Sequence, residues 1–174
     1  MGAMTGNSPT DRSKLRTKRH ILTDKNGIPL STVITSANSH DIKSVTDVID
    51  NAVIKRTTTT STSLSTTKQR KRKTRYHLCL DRAYNSKSIE NEIISRGYVP
   101  HISNKRKRGQ QKKDIMCQKK DRPIKNKRWV VERTNSWHNR FRKLFIRYEK
   151  KVENYLGVVQ LSSSIIIYRK IILG

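Results

Sequence analysis

Apolar residues recur along the chain with two different periods, and the switches between them mark out its elements. The runs 20–23 and 30–35 flank Asp24-Lys25-Asn26-Gly27. An Asn-Gly pair between two such runs predicts an antiparallel two-stranded hairpin, because both residues tolerate positive φ. Pro29 opens the second strand, where a missing N–H does least harm. Over 41–54, Ile42, Val45, Val48, Ile49, Ala52 and Val53 share one face at helical spacing, and Asp41 is a first-turn acid of the kind the helix dipole favours. Residues 76–81 predict a strand that ends in an acid, and 86–96 a helix stopped by Gly97. Residues 98–103 predict a short strand that Pro100 confines to a sheet edge. After the breaker Pro123, the stretch 127–144 lacks Gly and Pro. Val130, Thr134, Trp137, Phe141 and Leu144, with Tyr148 beyond it, alternate steps of four and three, which predicts one long helix. Residues 155–168 are apolar but interrupted by Gln160 and three serines, and Arg169 and Lys170 follow at once. That falls short of the roughly 20 apolar residues of a membrane span, so a buried core helix and no membrane partner are expected. Residues 1–14 show no periodicity and are expected to be loop.

Composition changes the picture most through charge. The 174 residues suffice for one domain with a core, and residues 1–174 are expected to form a single one. Yet only 33% are hydrophobic, and 39 Lys and Arg face 13 Asp and Glu, a net charge of +26. Such a chain repels itself and calls for a polyanionic partner, nucleic acid first. Much of the charge sits in two stretches. Residues 55–75 begin as a Thr/Ser tract of low complexity and end in Lys68, Arg70, Lys71, Arg72, Lys73 and Arg75, an inserted connection with a phosphate-contacting end. Residues 104–126 form a basic loop that includes Lys105, Arg106, Lys107 and Arg108. It is either a solvated charge run or a nucleic-acid contact, and it leads straight into the 127–144 helix. Cys79 and Cys117 form no Cys-x-x-Cys, the five histidines lack zinc-ligand spacing, and residues 1–10 are no secretory signal. An intracellular, DNA-associated location is expected, nuclear if the host is eukaryotic.

Two acids are candidates for chemistry. Glu132 is the sole acid between Asp121 and Glu149, amid Arg128, Arg133, Arg140, Arg142 and Lys143. It either makes surface helix pairs worth a few tenths of a kcal/mol or ligates a metal in a phosphate-binding site. Asp81 is either a plain strand-end residue or a ligand at the carboxyl end of a buried strand, where open α/β sheets keep their sites. The order hairpin, helix, strand, helix, strand, helix looks like a ribonuclease-H-like α/β fold, a mixed sheet flanked by helices. In that fold, acids from a central strand and a late helix converge at one sheet edge. Two divalent cations there activate a water or a 3′-hydroxyl. Magnesium, or manganese, suits a site made of carboxylates and water.

The residues also resemble a known family. Pro9-Thr10-Asp11-Arg12-Ser13-Lys14, Thr17-Lys18-Arg19-His20, Gly27-Ile28-Pro29-Leu30, Ala37-Asn38-Ser39-His40-Asp41, Asp81-Arg82-Ala83-Tyr84-Asn85-Ser86, the segment 128–137, and Arg140-Phe141-Arg142-Lys143-Leu144 with Arg147-Tyr148-Glu149 are similar to blocks of the DDE transposases of insertion-sequence families four and five, in the same order. The resemblance covers nearly all of the chain outside 55–75. It implies a cut-and-paste DNA transposase, with Asp81 and Glu132 as second and third catalytic acids and ligands of two magnesium or manganese ions. It also implies transposon-end DNA as partner, a homo-oligomer on that DNA, and contacts from Lys14, Lys18, Arg19, Arg128, Arg133, Asn139, Arg140, Arg142 and Lys143. Two family positions differ, with Lys125 where a Tyr belongs and Asn139 where a Lys belongs. The first catalytic Asp of the family lies on a strand ahead of the segment that opens this chain, and residues 1–8 offer no acid. The expectation is therefore a truncated or remnant transposase with its first strand missing, which binds DNA and alone cuts poorly or not at all. The alternatives are a non-catalytic basic nucleic-acid-binding protein, domesticated or unrelated, and a structural protein of ribosomal type without converging acids.

Overall fold

A computed structural model describes residues 4–8, 12–54, 76–102 and 129–173. The Thr/Ser and basic insertion 55–75 and the basic loop 104–126 lie outside the described residues. The chain divides into two compact units, Met1–Ile54 with Lys127–Gly174 and Lys55–Asn126.

In the first unit, β2 (Leu15–Thr23) and β3 (Pro29–Ser36) form the expected hairpin, in register from Thr17↔Ser36 to Leu22↔Ser31. The register slips between Leu22 and Thr23, and the loop between the strands is shaped by Asp24, whose Oδ1 accepts the amides of Asn26 (2.8 Å) and Ile28 (2.7 Å). Gly27 takes φ +85° there. Residues 1–14 are not all loop: β1 (Gly6–Asn7) pairs antiparallel with Arg16 and Leu15. Beyond those two residues, no described strand pairs with β2 on its side away from β3.

The helix expected over 41–54 is shorter and of two kinds. A 3₁₀ turn (Asp41–Ser44) leads into α1 (Val45–Asp50), and the poor helix formers Asp50 and Asn51 end it. Val45, Val48 and Ile49 are buried, while Val53 and Ile54 are exposed. The long helix expected over 127–144 is likewise broken. It forms α3 (Trp129–Asn139), then Phe141 turns extended and caps a single-turn α4 (Arg142–Phe145). The break brings Leu144 into a core with Ile34, Tyr155 and Val159, against which Phe141 packs, and leaves Tyr148 exposed. Each aliphatic side chain buried there contributes about 1.5–3 kcal/mol.

The last element, α5 (Val152–Ile171), packs on β3. It was expected to be a buried core helix, yet only the stripe Tyr155, Val159, Ser162 and Ile166 is buried, whereas Leu161 and Tyr168 are exposed. Ser162 and Ser163 turn their hydroxyls back onto the Val159 carbonyl (2.8 and 2.9 Å), so the serines that interrupt the apolar run satisfy themselves inside the helix. Among the described residues no helix is long and apolar enough to cross a membrane.

The second unit holds β4 (Tyr76–Leu80), a 3₁₀ turn (Arg82–Tyr84), α2 (Lys87–Ser95) and β5 (Tyr98–Ile102). The strands run parallel, paired from Tyr76↔Tyr98 to Leu80↔Ile102, with α2 as the crossover. Ile89 and Ile93 are the buried face of α2, which packs on β5, and Gly97 at φ +81° closes the helix. β5 pairs only with β4 among the described strands, an edge position that suits Pro100. Antiparallel and parallel pairs, with helices against both sheets, make a mixed α/β architecture consistent with a ribonuclease-H-like transposase domain. The strands fall into two sheets of three and two.

Candidate active site

Asp81 follows the last residue of β4 in extended conformation (φ −71°, ψ 163°), half-buried, and its Oδ1 accepts the Arg82 amide at 2.7 Å. The strand's hydrogen bonds fix the backbone up to Leu80, so the carboxylate sits at the carboxyl end of a parallel strand, as the sequence anticipated. Glu132 lies in the first turn of α3 and is exposed. That position is favourable for a negative charge at the positive end of the helix dipole. Asp81 belongs to the second unit and Glu132 to the first. Among the described residues no group of three or more His, Cys, Asp or Glu lies close enough together to hold a metal ion.

The basic candidates divide into engaged and exposed. Lys18 pairs with Asp41 at 2.8 Å and also donates to the Ser39 carbonyl at 2.9 Å. Arg19 donates from Nη2 to Asn139 Oδ1 at 2.6 Å, tying β2 to the end of α3. Arg133 is stacked between Trp129 (4.6 Å) and Trp137 (5.0 Å) and donates to the Asn26 carbonyl at 2.6 Å. Arg19 with Asn139, and Arg133, hold α3 and the hairpin together, while Lys18 ties β2 to the turn at Ser39 and Asp41. Lys14, Arg140, Arg142 and Lys143 are exposed. Lys105, Arg106, Lys107, Arg108 and Arg128 lie outside the described residues.

What presents Glu132 is the seat of α3 on the hairpin loop. Thr134, fully buried, donates from Oγ1 to the Gly27 carbonyl at 2.7 Å, next to the Arg133 bond to Asn26. One helical turn on, His138 is also fully buried, with Nε2 3.1 Å from Ser163 Oγ of α5. Its Nδ1 and the nearby Arg19 Nη1 are buried without hydrogen-bond partners among the described residues. Burial first, and the positive charge of Arg19 second, lower the His138 pKa from 6.5 to about 4, so the ring is neutral at pH 7. His20 on β2, 2.8 Å from Thr35 Oγ1, is lowered too, by burial above all.

Sequence reasoning missed His138 and the Gly27 contact. The signal for the first was available: Val130, Thr134 and His138 are spaced by four, and they are the buried stripe of α3. Trp137, which the four–three spacing places on the apolar face, is only half-buried.

The sequence matches the Transposase DDE domain family over residues 4–165. The chain belongs to that family. A relative from Burkholderia cepacia, named for the transposase of insertion sequence element IS402, is 31% identical over 162 residues, 93% of this chain and 67% of the relative. No solved structure gives a significant match. Hard carboxylate oxygens such as those of Asp81 and Glu132 fit the chemistry of a magnesium or manganese ion that keeps several of its waters.

Proposed function

We propose that the chain acts on DNA as the catalytic part of a DDE transposase, with Asp81 and Glu132 as two of the carboxylates that hold divalent ions at a phosphodiester. The observation that carries this reading is the setting of Asp81, half-buried at the carboxyl end of β4 with one oxygen pinned by the Arg82 amide. A carboxylate so held has little freedom to lose when it takes a ligand. When bound, magnesium or manganese would supply activation of a water or 3′-hydroxyl and neutralise the leaving oxygen. Glu132 adds an exposed carboxylate on a helix seated against the hairpin by Thr134 and Arg133. Lys14, Arg140, Arg142 and Lys143 attract the DNA backbone, while Lys18, Arg19, Arg133 and Asn139 keep the frame that displays them. Transposon ends are the proposed substrate, engaged by a homo-oligomer. Within these 174 residues, residues 1–8 supply no acid for the family's first position.

The test supplies a strand-borne Asp ahead of residue 9 and follows nicking of supercoiled DNA with and without magnesium. Nicking should appear with the metal and the added strand, and vanish in Asp81→Ala and in Glu132→Ala. Nicking that survives both substitutions overturns the assignment. A second reading, a non-catalytic DNA-binding protein, draws on the net charge of +26, which needs no acids to grip phosphates. It predicts no cleavage with the added strand. DNA affinity itself should fall by about a thousandfold or more between roughly 50 and 200 mM salt, measured by fluorescence anisotropy. A fall of less than tenfold would mean that few phosphates are engaged.

A further inference from the structure

On the face of the two-stranded sheet that carries His77 and Cys79, the parallel register sets Cys79 opposite His101 and His77 opposite Val99. His77 and His101 are thus diagonal neighbours. Their rings meet, with His77 Nδ1 2.7 Å from His101 Nε2 and ring centroids 5.0 Å apart. His77 is exposed, and His101 is 7% exposed, so one ring is anchored and the other is free to turn. The plain account of the contact is an N–H···N hydrogen bond, one neutral ring donating to the other.

We infer that this pair is also a two-histidine site for a divalent transition ion, copper(II) above all. Two nitrogens bound at right angles to a metal about 2.0 Å away lie about 2.8 Å apart, close to the separation already present. A tetrahedral zinc would need about 3.3 Å. Copper(II) and nickel(II) favour the right-angled arrangement, and copper stands highest in the order of divalent affinities. Binding exchanges the inter-ring hydrogen bond for two metal–nitrogen bonds. The ring that donated the bridging proton carries it on its other nitrogen once bound, so a neutral pair releases no proton and a protonated pair releases one to solvent. The exposed His77 ring turns to aim its lone pair at the metal. Since no third His, Cys, Asp or Glu converges there among the described residues, water fills the other positions. Magnesium, a poor match for imidazole, does not compete. The site is therefore separate in chemistry from the carboxylates of the proposed reaction.

The test titrates the full chain with copper(II), followed by electron paramagnetic resonance, with excess magnesium present. One site is expected whose nitrogen splitting reports two imidazoles. His77→Ala, at an exposed position, should weaken it roughly a hundredfold by removing the chelate. His101→Gln should do the same, and His40→Ala should leave it unchanged. Equal affinity in wild type and His77→Ala overturns the site, as does a wild-type spectrum with a single imidazole nitrogen.

Discussion

Gly27→Ala should lower the free energy of unfolding by about 3 kcal/mol, read from chemical or thermal melts followed by circular dichroism. Two costs add. Residue 27 sits at φ +85°, a backbone conformation that costs an L side chain roughly 1–2 kcal/mol. The new Cβ would also stand 3.0 Å from Thr134 Oγ1, 3.1 Å from Arg133 Nη2 and 3.4 Å from Trp137 Cζ3. The Arg133 end can give way, but Thr134 is held by its bond to the Gly27 carbonyl, so the loop and α3 must part slightly. Overpacking of this kind costs about 1–3 kcal/mol. For a chain of this size the melting temperature should drop by roughly 6–12 °C. Gly97→Ala, at a similar φ of +81°, should lose at least the backbone share. A loss in Gly27→Ala no larger than the backbone share of roughly 1–2 kcal/mol would mean that the hairpin loop does not seat α3 as described.

The second large effect is one of pH. The pKa of His138 is near 4 in the folded chain against 6.5 in the unfolded one. A depressed histidine means that the unfolded state binds the extra proton first. Stability is then fully present above pH 6.5 and is lost as pH falls towards 4, where folded His138 begins to protonate. At 1.36 kcal/mol per unit the loss over that window is about 3 kcal/mol. His20 is shifted in the same direction and adds to the slope. Denaturant melts between pH 7 and pH 4 should show the decline. In His138→Gln, which has no proton to gain, the decline should be shallower even though the variant is weaker at pH 7. A wild-type curve flat between pH 6.5 and 4.5, or an unchanged slope in the variant, would contradict the burial of a neutral imidazole.

Local patterns were legible where one force dominated. The hairpin followed from Asn26-Gly27 between alternating runs, and β4, α2 and β5 from short apolar segments with Gly97 between them. Periodicity failed where tertiary packing overrode it. Phe141 and Leu144 continue the 4–3 spacing of α3, yet the chain breaks after Asn139 so that both reach the core under α5. The α5 stretch is apolar apart from Gln160 and three serines, and contact with β3 decides which of its faces is covered. The site was half legible. Acid identity and strand-end position were plain for Asp81, and charge context for Glu132. That Lys18, Arg19 and Arg133 hold the fold together could not be read, because their partners Asp41, Asn139 and Asn26 lie 23, 120 and 107 residues away.

The split make-up of the first unit has a consequence for biosynthesis. Among the described residues, Ile34 of the hairpin shares its buried cluster with Leu144, Tyr155 and Val159, beyond the whole of Lys55–Asn126. At about 5–20 residues per second, a nascent hairpin therefore waits on the order of ten seconds for the side chains that shelter it. The interval favours chaperone capture of the N-terminal strands, and any ribosome that stalls before residue 144 leaves them as bait for aggregation.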